Sequence, residues 1–337
     1  MFNHVDGRPR RFDNAGMMAT EGALATTAHG LPGAQVDPAP VPFSAADLGF
    51  LAVEGGWRKT VGGREVAFRP VRRLADLAAV EALQREVFGV SDRDLAAASF
   101  LVIVPETGGE VLGAYDGEEL IGFAVGWGGY VDGRPRLLSD MLGVRANRRG
   151  GGLGGELKKL QAVLALDRGI TEIVWTVDPL RAANARLNFE KLGAYAERYE
   201  IDRYGAQYGA GLYGGLPTDR LHVTWPLASE HVRDRLLGRT AMTTAEEIAG
   251  LDSFSPGHPG NRALVALPAD VDRLLATDPA AVSRWRASLR EALTAAFAEG
   301  YRVGGFVAAA PGEDRATYVL ERTTEPTLDA NAPVDSR

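Results

Sequence analysis

Five glycines fall within six consecutive positions at the end of the segment Val144-Arg145-Ala146-Asn147-Arg148-Arg149-Gly150-Gly151-Gly152-Leu153-Gly154-Gly155. Residues 137–144 are rich in large apolar side chains and predict a strand, and the leucines after the glycines predict a helix that ends near Gly169. Glycines let successive backbone N–H groups converge, and the start of a helix adds its positive end, so a turn of this kind can bind phosphate oxygens. The alternative is a turn that joins a strand to a helix and binds nothing.

Strands and helices are predicted on both sides of this glycine turn. Upstream, residues 66–71 predict a strand and residues 74–88 a helix that Gly89 ends, and two apolar runs around Asp116-Gly117 predict a β-hairpin. Downstream, residues 173–177 predict a short buried strand, 181–192 a helix and 194–201 a strand. This order of elements predicts a mixed α/β fold.

Composition excludes several classes of function. The chain has 337 residues, a formal charge of -7 and no cysteine, so we expect no nucleic-acid partner, no disulfide framework and no thiolate metal site. The longest apolar runs fall short of the ~18 residues that a membrane-spanning helix needs, and no secretory signal is evident. None of the five histidines pairs with another at a metal-ligand spacing. We therefore expect a cytoplasmic protein without a membrane or metal partner.

Three regions follow from the distribution of glycine, proline and apolar residues. Residues 1–60 are predicted to be a poorly ordered leader. Residues 61–230 hold the elements described above and are predicted to be the functional domain. Residues 231–337 are predicted to form a small α/β domain, with strands at 263–267, 301–308 and 316–320 and a helix at 279–298. We expect this last region to extend the sheet or to help form a homodimer.

Two phosphate-binding motifs can be compared with the glycine turn. A Walker-type loop requires Lys and then Ser or Thr after its last glycine, and Glu156-Leu157 stand there instead. The dinucleotide fingerprint G-x-G-x-x-G fits residues 150–155, and Asp178 ends the next strand where an acid could hold a ribose. Against this reading, five residues separate Val144 from the first glycine, and the upstream hairpin is antiparallel. A dinucleotide-binding oxidoreductase stays as an alternative.

The predicted strand, the loop Arg149-Gly150-Gly151-Gly152-Leu153-Gly154 and the helix resemble the Q/R-x-x-G-x-G/A signature of the GCN5-related N-acetyltransferase (GNAT) superfamily. In that fold the signature follows the fourth strand. Asn184 and the segment Phe189-Glu190-Lys191-Leu192-Gly193 resemble the helix and glycine turn that close the cofactor site. Residues 216–220 further resemble a little-characterised bacterial branch. The resemblance covers roughly residues 66–227.

This resemblance implies a mixed, mostly antiparallel sheet that is splayed between its fourth and fifth strands, with a small C-terminal α/β extension. It implies acetyl-CoA or another acyl-CoA as co-substrate and no metal. The pantetheine arm would bond the open edge of the fourth strand, and the pyrophosphate would lie on the amides of the glycine turn. The residues it assigns to CoA binding are Met141, Leu142, Val144, Arg148, Arg149, Gly150, Gly151, Gly152, Leu153, Gly154 and Asn184.

One position departs from the family's pattern. Many members have a tyrosine that protonates the leaving thiolate, and the matching residue here is Phe189, which carries no proton. Tyr195 and Tyr199 follow closely and are the substitute candidates, although a tyrosine on a strand is commonly a packing residue. Asp140, on the fourth strand, is the candidate general base, with a solvated strand-end acid as its alternative. Asp178 is better suited to capping the next helix.

The expected function is therefore an N-acyltransferase that transfers an acyl group, acetyl by default, to the amine of a small metabolite or amino acid by direct attack. A larger acyl group such as succinyl is left open. The alternative from another class is a catalytically weak acyl-CoA-binding protein. Residues 204–220 are interpreted as a lid over the acceptor or a surface crossover, and Arg220 as a solvated side chain or a partner of an acceptor carboxylate.

Overall fold

A computed structural model of the chain describes residues 42–131, 133–205 and 216–323. The strands in this part of the chain are β1 (Leu51–Val53), β2 (Gly56–Val61), β3 (Arg64–Pro70), β4 (Glu110–Asp116), β5 (Glu119–Val131), β6 (Arg134–Val144), β7 (Glu172–Val177), β8 (Tyr195–Glu200), β9 (Arg220–Pro226), β10 (Arg262–Pro268), β11 (Tyr301–Val307) and β12 (Arg315–Arg322). The helices are α1 (Leu74–Phe88), α2 (Ala98–Leu101), α3 (Leu153–Asp167), α4 (Ala182–Ala185), α5 (Glu230–Leu236), α6 (Ala245–Ile248), α7 (Val271–Thr277) and α8 (Pro279–Ala298). A π-helix over Arg186–Lys191 continues α4.

The strands form a single sheet in the order β1-β2-β3-β4-β5-β6-β7-β9-β8-β11-β12-β10. In the described chain, the pairing of β6 with β7 is parallel and the other strand pairings are antiparallel. The predicted class, a mixed and mostly antiparallel α/β fold, is confirmed. A doubly wound parallel sheet, which the dinucleotide alternative requires, is absent from these residues.

The sheet opens between β6 and β7. Leu137 pairs with Ile173 and Leu138 with Val174, and beyond these two pairs β6 has no further register partner in β7. From Ser139 to Val144, β6 is paired with β5 alone. The splay predicted between the fourth and fifth strands of the family therefore lies between β6 and β7.

Helices cover both faces of the sheet near this opening. Phe123 and Val125 of β5 lie in one hydrophobic cluster with Leu77 of α1 and Leu101 of α2. Ala124, between them, lies in the other cluster with the leucines of α3. Because successive strand residues point to opposite faces, α1 and α2 lie on one face and α3 on the other.

The C-terminal strands add to the same sheet. β11 joins β8 through the pair Val303 and Ala196, and β12 and β10 follow. Helix α8 begins where the sequence predicts, because Asp278 accepts the N–H of Ala281 (2.9 Å) and Pro279 occupies the first helical position. The long helix and the three predicted strands of this region are all present.

The predicted leader is too long. Leu48 and Phe50 are buried, and residues 51–61 contain the whole of β1 and β2, so order begins well before residue 61. Pairing of β2 with β3 and the ion pair of Lys59 with Glu156 of α3 (2.6 Å) hold this segment in place. Residues 1–41 and the centre of the predicted lid, 206–215, lie outside the described residues. No helix in the described ranges is long and apolar enough to cross a membrane.

Candidate active site

The glycine turn has backbone angles that residues with a side chain rarely adopt. Gly150 and Gly152 have φ angles of 85° and 91°, in the left-handed region that favours glycine. Gly152 directly precedes Leu153, the first residue of α3. Within the described chain the N–H groups of residues 150–154 donate no backbone hydrogen bond. The turn therefore presents a run of unused donors at the positive end of a fifteen-residue helix.

A groove of about 710 Å³ runs from this turn between α3 and α4. The start of α3, the inner face of α4 with its π-helix, and the segment from Arg235 to Met242 form its walls. The charged side chains that line it are Arg148, Arg149, Glu156, Lys159, Arg186, Glu190, Lys191 and Arg235. Six of the eight are basic, so the groove suits a polyanion of the size of a nucleotide cofactor.

The two arginines before the glycines already have protein partners. Arg148 pairs with Asp116 in the β4–β5 turn (2.7 Å), and Nε of Arg149 donates to the carbonyl oxygen of Val144 (3.0 Å). Arg149 is exposed, and both residues line the groove. These contacts fix the cations beside the glycine turn.

The open edge of β6 presents backbone groups at alternate residues. Arg145 donates its N–H to Ile121 of β5 (3.0 Å). In an antiparallel pair the bonded positions alternate, so Leu142 and Val144 direct their N–H and C=O groups away from β5 and into the opening. By the same alternation the backbone of Met141 is directed to β5, so Met141 cannot serve as the predicted backbone partner there.

Asp140 sits on a β-bulge of β6 at the inner end of this edge. Met141 opposes Val125 and Ser139 opposes Gly126, so Asp140 itself has no register partner. Bulges re-aim side chains, and here the indole N–H of Trp127 donates to the Asp140 carboxylate (3.3 Å). The residue as a whole is exposed, but the protein around its carboxyl group raises the Asp140 pKa above the ordinary value, against the opposing effects of Trp127 and the charge of Arg203.

The groove and Asp140 lie on opposite faces of the sheet. Trp175 of β7 points toward α3, where the Lys158 ammonium lies 3.6 Å from the centre of its ring. Thr176, the next residue, points to the other face, as does His222, its register partner in β9. The opening between β6 and β7 therefore connects the groove on the α3 side with Asp140 on the α1 and α2 side, which we call the acceptor face.

Charged residues beyond β9 complete the acceptor face. Glu200 pairs with Arg203 (2.5 Å) and with Nε2 of His222 (2.6 Å), and the hydroxyl of Tyr204 lies 3.5 Å from that of Thr176. Burial lowers the His222 pKa, and Glu200 opposes this shift. Sequence reasoning missed this group, although the alternation of Arg220 and His222 with apolar residues in Arg220-Leu221-His222-Val223 was a usable signal. Arg220 is buried, not solvated.

The structure does not bring Tyr195 and Tyr199 to the opening. Both are on β8, which β9 separates from β7. The Tyr199 hydroxyl donates to Asp219 (2.7 Å), and burial together with this bond raises its pKa. Burial also raises the pKa of Tyr195, whose ring lies 4.9 Å from the Arg302 guanidinium. The thiolate-protonating role predicted for them has no geometric support.

Two other predicted positions, Asn184 and Asp178, differ from expectation. Asn184 is exposed and does not line the groove, whereas Asn188 is buried and its amide nitrogen has no partner in the described chain. Phe189 is buried against Tyr318 of β12, with ring centres 5.7 Å apart. Asp178 does not cap α4: it accepts the N–H of Leu180 (2.9 Å) in the preceding turn.

A buried lysine lies at the closed end of the splay. Lys158 of α3 donates to Ser139 (2.9 Å) and to Gln161 (3.1 Å) from a position that is 2% exposed. Burial lowers its pKa to about 7, partly offset by the charge of Glu110. Since Ser139 and Trp175 are the first positions beyond the last β6–β7 pair, Lys158 fills the point where the strands separate. Among the described residues no group of three or more histidine and carboxylate side chains could hold a metal ion.

Comparisons with known proteins bear on the family. The model of the acetyltransferase (GNAT) family matches residues 77–194, about a third of the chain. No curated protein matches the chain. Among solved structures, it is similar to the ribosomal-protein-S18-alanine N-acetyltransferase from Escherichia coli, with 15% identity, a TM-score of 0.40 and coverage of 49% of this chain and 97% of that chain. It is also similar to Arabidopsis thaliana Naa50 in complex with a bisubstrate analogue, with 20% identity and a TM-score of 0.37. This match covers 47% of this chain and 97% of that chain. The residues that match the family model include the glycine turn and both sides of the splay.

Proposed function

We propose that the chain is an acyl-CoA-dependent N-acyltransferase, with acetyl as the default acyl group, acting on the amine of a small metabolite or amino acid. One observation carries the proposal: β6 parts from β7 after Leu138, so an open strand edge runs from Asp140 to the glycine turn. An extended pantetheine arm fits such an edge as an added strand, and its diphosphate fits the N–H groups of the turn.

The residues around the opening then have separate roles. The N–H groups of Leu142 and Val144, which face the opening, hold the arm. One of them donates to the oxyanion that forms on the attacked thioester carbonyl. Asp140 accepts a proton from the incoming ammonium, so that the neutral amine attacks from the acceptor face. Its raised pKa makes it a stronger base than an ordinary aspartate. The cations of the groove offset the phosphate charges.

The leaving thiolate has no assigned acid. Phe189 carries no proton, and the hydroxyl of Tyr199 is engaged with Asp219. A simple thiol has a pKa of about 8.5, so a thiolate can leave near neutral pH and take its proton from solvent. Positioning and oxyanion stabilisation supply most of the rate in such a transfer.

A catalytically weak acyl-CoA-binding protein is the second candidate, because Phe189 occupies the position of the expected acid. Two measurements separate the candidates: calorimetric titration with CoA, and thiol release from acetyl-CoA and succinyl-CoA with a panel of amines. We expect CoA to bind and at least one amine to release thiol. Binding without thiol release from any amine supports the second candidate, and absence of CoA binding contradicts both.

A further inference from the structure

The acceptor face carries an exposed apolar surface beside Asp140. We call Phe100, Trp127 and Leu138 the apolar patch. The rings of Phe100 and Trp127 lie 5.2 Å apart, and Leu138 is the register partner of Trp127 on the same face. Phe100 is 54% and Leu138 43% exposed. Large apolar side chains that stay exposed together next to a functional carboxylate are typical of a ligand surface.

A cation lies on the acceptor face with Asp140. Arg203 pairs with Glu200 (2.5 Å), and Glu200 also contacts Nε2 of His222 (2.6 Å). The register partner of His222 is Thr176 of β7, the strand that borders the opening. Nη1 of Arg203 donates to Glu200 (2.5 Å), and the guanidinium also lies over the ring of Tyr204, 5.4 Å from its centre. Because a guanidinium has five N–H donors, a ligand carboxylate can be added to these contacts.

The backbone that carries Arg203 is held rigidly. Arg203 donates its N–H to the carbonyl oxygen of Thr218 (3.2 Å), and Tyr204 donates its N–H to the Thr218 hydroxyl (2.8 Å). Asp202, which has a φ of 50°, accepts the N–H of Thr218 (2.9 Å) and donates its own N–H to Asp219 (3.1 Å). A residue other than glycine in the left-handed region is sustained only where surrounding contacts determine it. Arg203 is therefore a fixed feature of the acceptor face.

We propose that the acceptor is a free α-amino acid with a large apolar side chain, an inference that rests on the proposed acyltransferase function. Its ammonium group binds Asp140, its carboxylate binds Arg203, and its side chain packs on the apolar patch. Opposite charges at the two sides of one opening match a zwitterion, and the patch supplies the third contact that selects the side chain.

The transfer balances with these groups and solvent. The amino nitrogen forms a bond to the thioester carbonyl carbon, and the bond from that carbon to sulfur breaks. The ammonium loses two protons in the process, one to Asp140 and one to solvent, and the released thiolate takes a proton from solvent, so that charge and protons balance. The carboxylate of the amino acid takes no part, so Arg203 is a specificity-determining residue and not a catalytic residue.

The test compares acceptors that differ in one contact. Thiol release from acetyl-CoA is measured with L-phenylalanine, L-phenylalaninamide, L-alanine and a peptide with N-terminal phenylalanine. We expect kcat/KM for phenylalanine to exceed that for phenylalaninamide at least tenfold, because the amide lacks the charge-assisted bond to Arg203. We expect it to exceed that for alanine at least tenfold as well, because alanine lacks the ring that packs on the apolar patch. Equal or greater activity with the amide or the peptide overturns the proposal.

Three variants at two positions assign the preferences to residues. In Arg203→Gln the advantage of phenylalanine over its amide should fall to less than threefold, and Arg203→Lys should restore part of it. In Phe100→Ser the advantage over alanine should fall instead. Arg58→Gln, which removes another arginine paired with a glutamate (3.2 Å), is the control and should leave both preferences unchanged. Preferences that survive in the Arg203 and Phe100 variants overturn the proposal.

Failure of the proposed function is distinguishable from failure of this inference. If no amine releases thiol, the acyltransferase proposal fails, and calorimetric titration of the protein with CoA present then decides the inference. Saturable binding of phenylalanine that is at least tenfold weaker for phenylalaninamide supports the site. No binding of phenylalanine, or equal binding of the two, overturns it.

Discussion

In the proposed function, Asp140 combines a catalytic advantage with a cost in stability. Its raised pKa means that the folded protein holds a proton on this group more tightly than the unfolded chain does. Stability from this group is therefore lost as pH rises through the interval between the unfolded and the folded pKa. Ionised Asp140 is the form that accepts a proton, so the same ionisation switches activity on.

Asp140→Asn should lower kcat/KM about 100-fold at neutral pH and leave the protein at least as stable. The ratio of wild-type to variant kcat/KM should approach one at low pH and rise as Asp140 ionises, above the range of an ordinary aspartate. Rate profiles and denaturant unfolding at matched pH values measure both. Asp314→Asn, at an exposed carboxylate in the β11–β12 turn, is the control. A ratio independent of pH contradicts the role of base.

Lys158 gives the opposite pH dependence of stability. Its folded pKa of about 7 lies below the unfolded value of roughly 10.4, so between these pH values the unfolded chain binds more protons. The free energy of unfolding should therefore gain on the order of a few kcal/mol as pH rises from about 7 to about 10. Lys158→Met should remove this rise.

Denaturant unfolding across this pH range measures the difference between Lys158→Met and the wild type. Lys159→Met is the matched control, because the neighbouring ammonium lies 3.0 Å from Glu156 and is partly exposed. It should reproduce the wild-type slope. An unchanged slope in Lys158→Met would show that the buried amine does not titrate in this window.

At the scale of elements, the glycine turn allows a matched pair of substitutions. Gly152 and Gly312 share a φ of 91° and have open space where a Cβ would stand. Alanine at either position should cost about 1–2 kcal/mol of stability from backbone strain. Only Gly152→Ala should also weaken CoA binding, by tenfold or more, because it distorts the converging N–H groups. Calorimetry with CoA checks this, and equal affinities in the two variants would contradict an anion-binding turn.

The sequence predicted those helices and strands that are determined by residues close to them in the chain. The strand, glycine turn and helix around Gly152 follow from apolar periodicity and glycine content, and α8 follows from Asp278 and Pro279 at its start. Strand β2 has no such signal: its alternating side chains are only half-buried, and its order depends on β3 and on Glu156, 97 residues from Lys59. Pairings between distant segments cannot be read from local periodicity.

The same limit applies to the candidate site. The glycine turn and the open edge of β6, to which we propose that CoA binds, were predictable because they are continuous in sequence. The acceptor face was not, since Trp127, Asp140 and Arg203 come from three separate segments. Tyr199 was predicted as an acid from proximity in sequence to Phe189, but strand alternation directs it to Asp219 instead.

At the scale of the whole molecule, α8 ties the C-terminal strands to the acceptor face. Arg286 pairs with Asp178 at the end of β7 (3.0 Å), with both side chains almost fully buried. One turn later, Arg290 makes two bonds of 2.9 Å to Asp219, whose side chain is fully buried. Breaking a buried pair leaves an uncompensated charge, so these contacts make the C-terminal region part of the functional unit.

Arg290→Gln should therefore impair acceptor binding from a distance. Asp219 accepts the N–H of Asp202, next to Arg203, so loss of its bidentate partner loosens the residue that we propose binds the acceptor carboxylate. We expect KM for the amine to rise at least fivefold, kcat to change less than twofold and CoA affinity to stay unchanged, with a loss of about 3 kcal/mol in stability. Arg284→Gln on the same helix, exposed and paired with Asp278 alone, is the control. A parallel loss of CoA affinity would show that Arg290 acts through general stability and not through the position of Arg203.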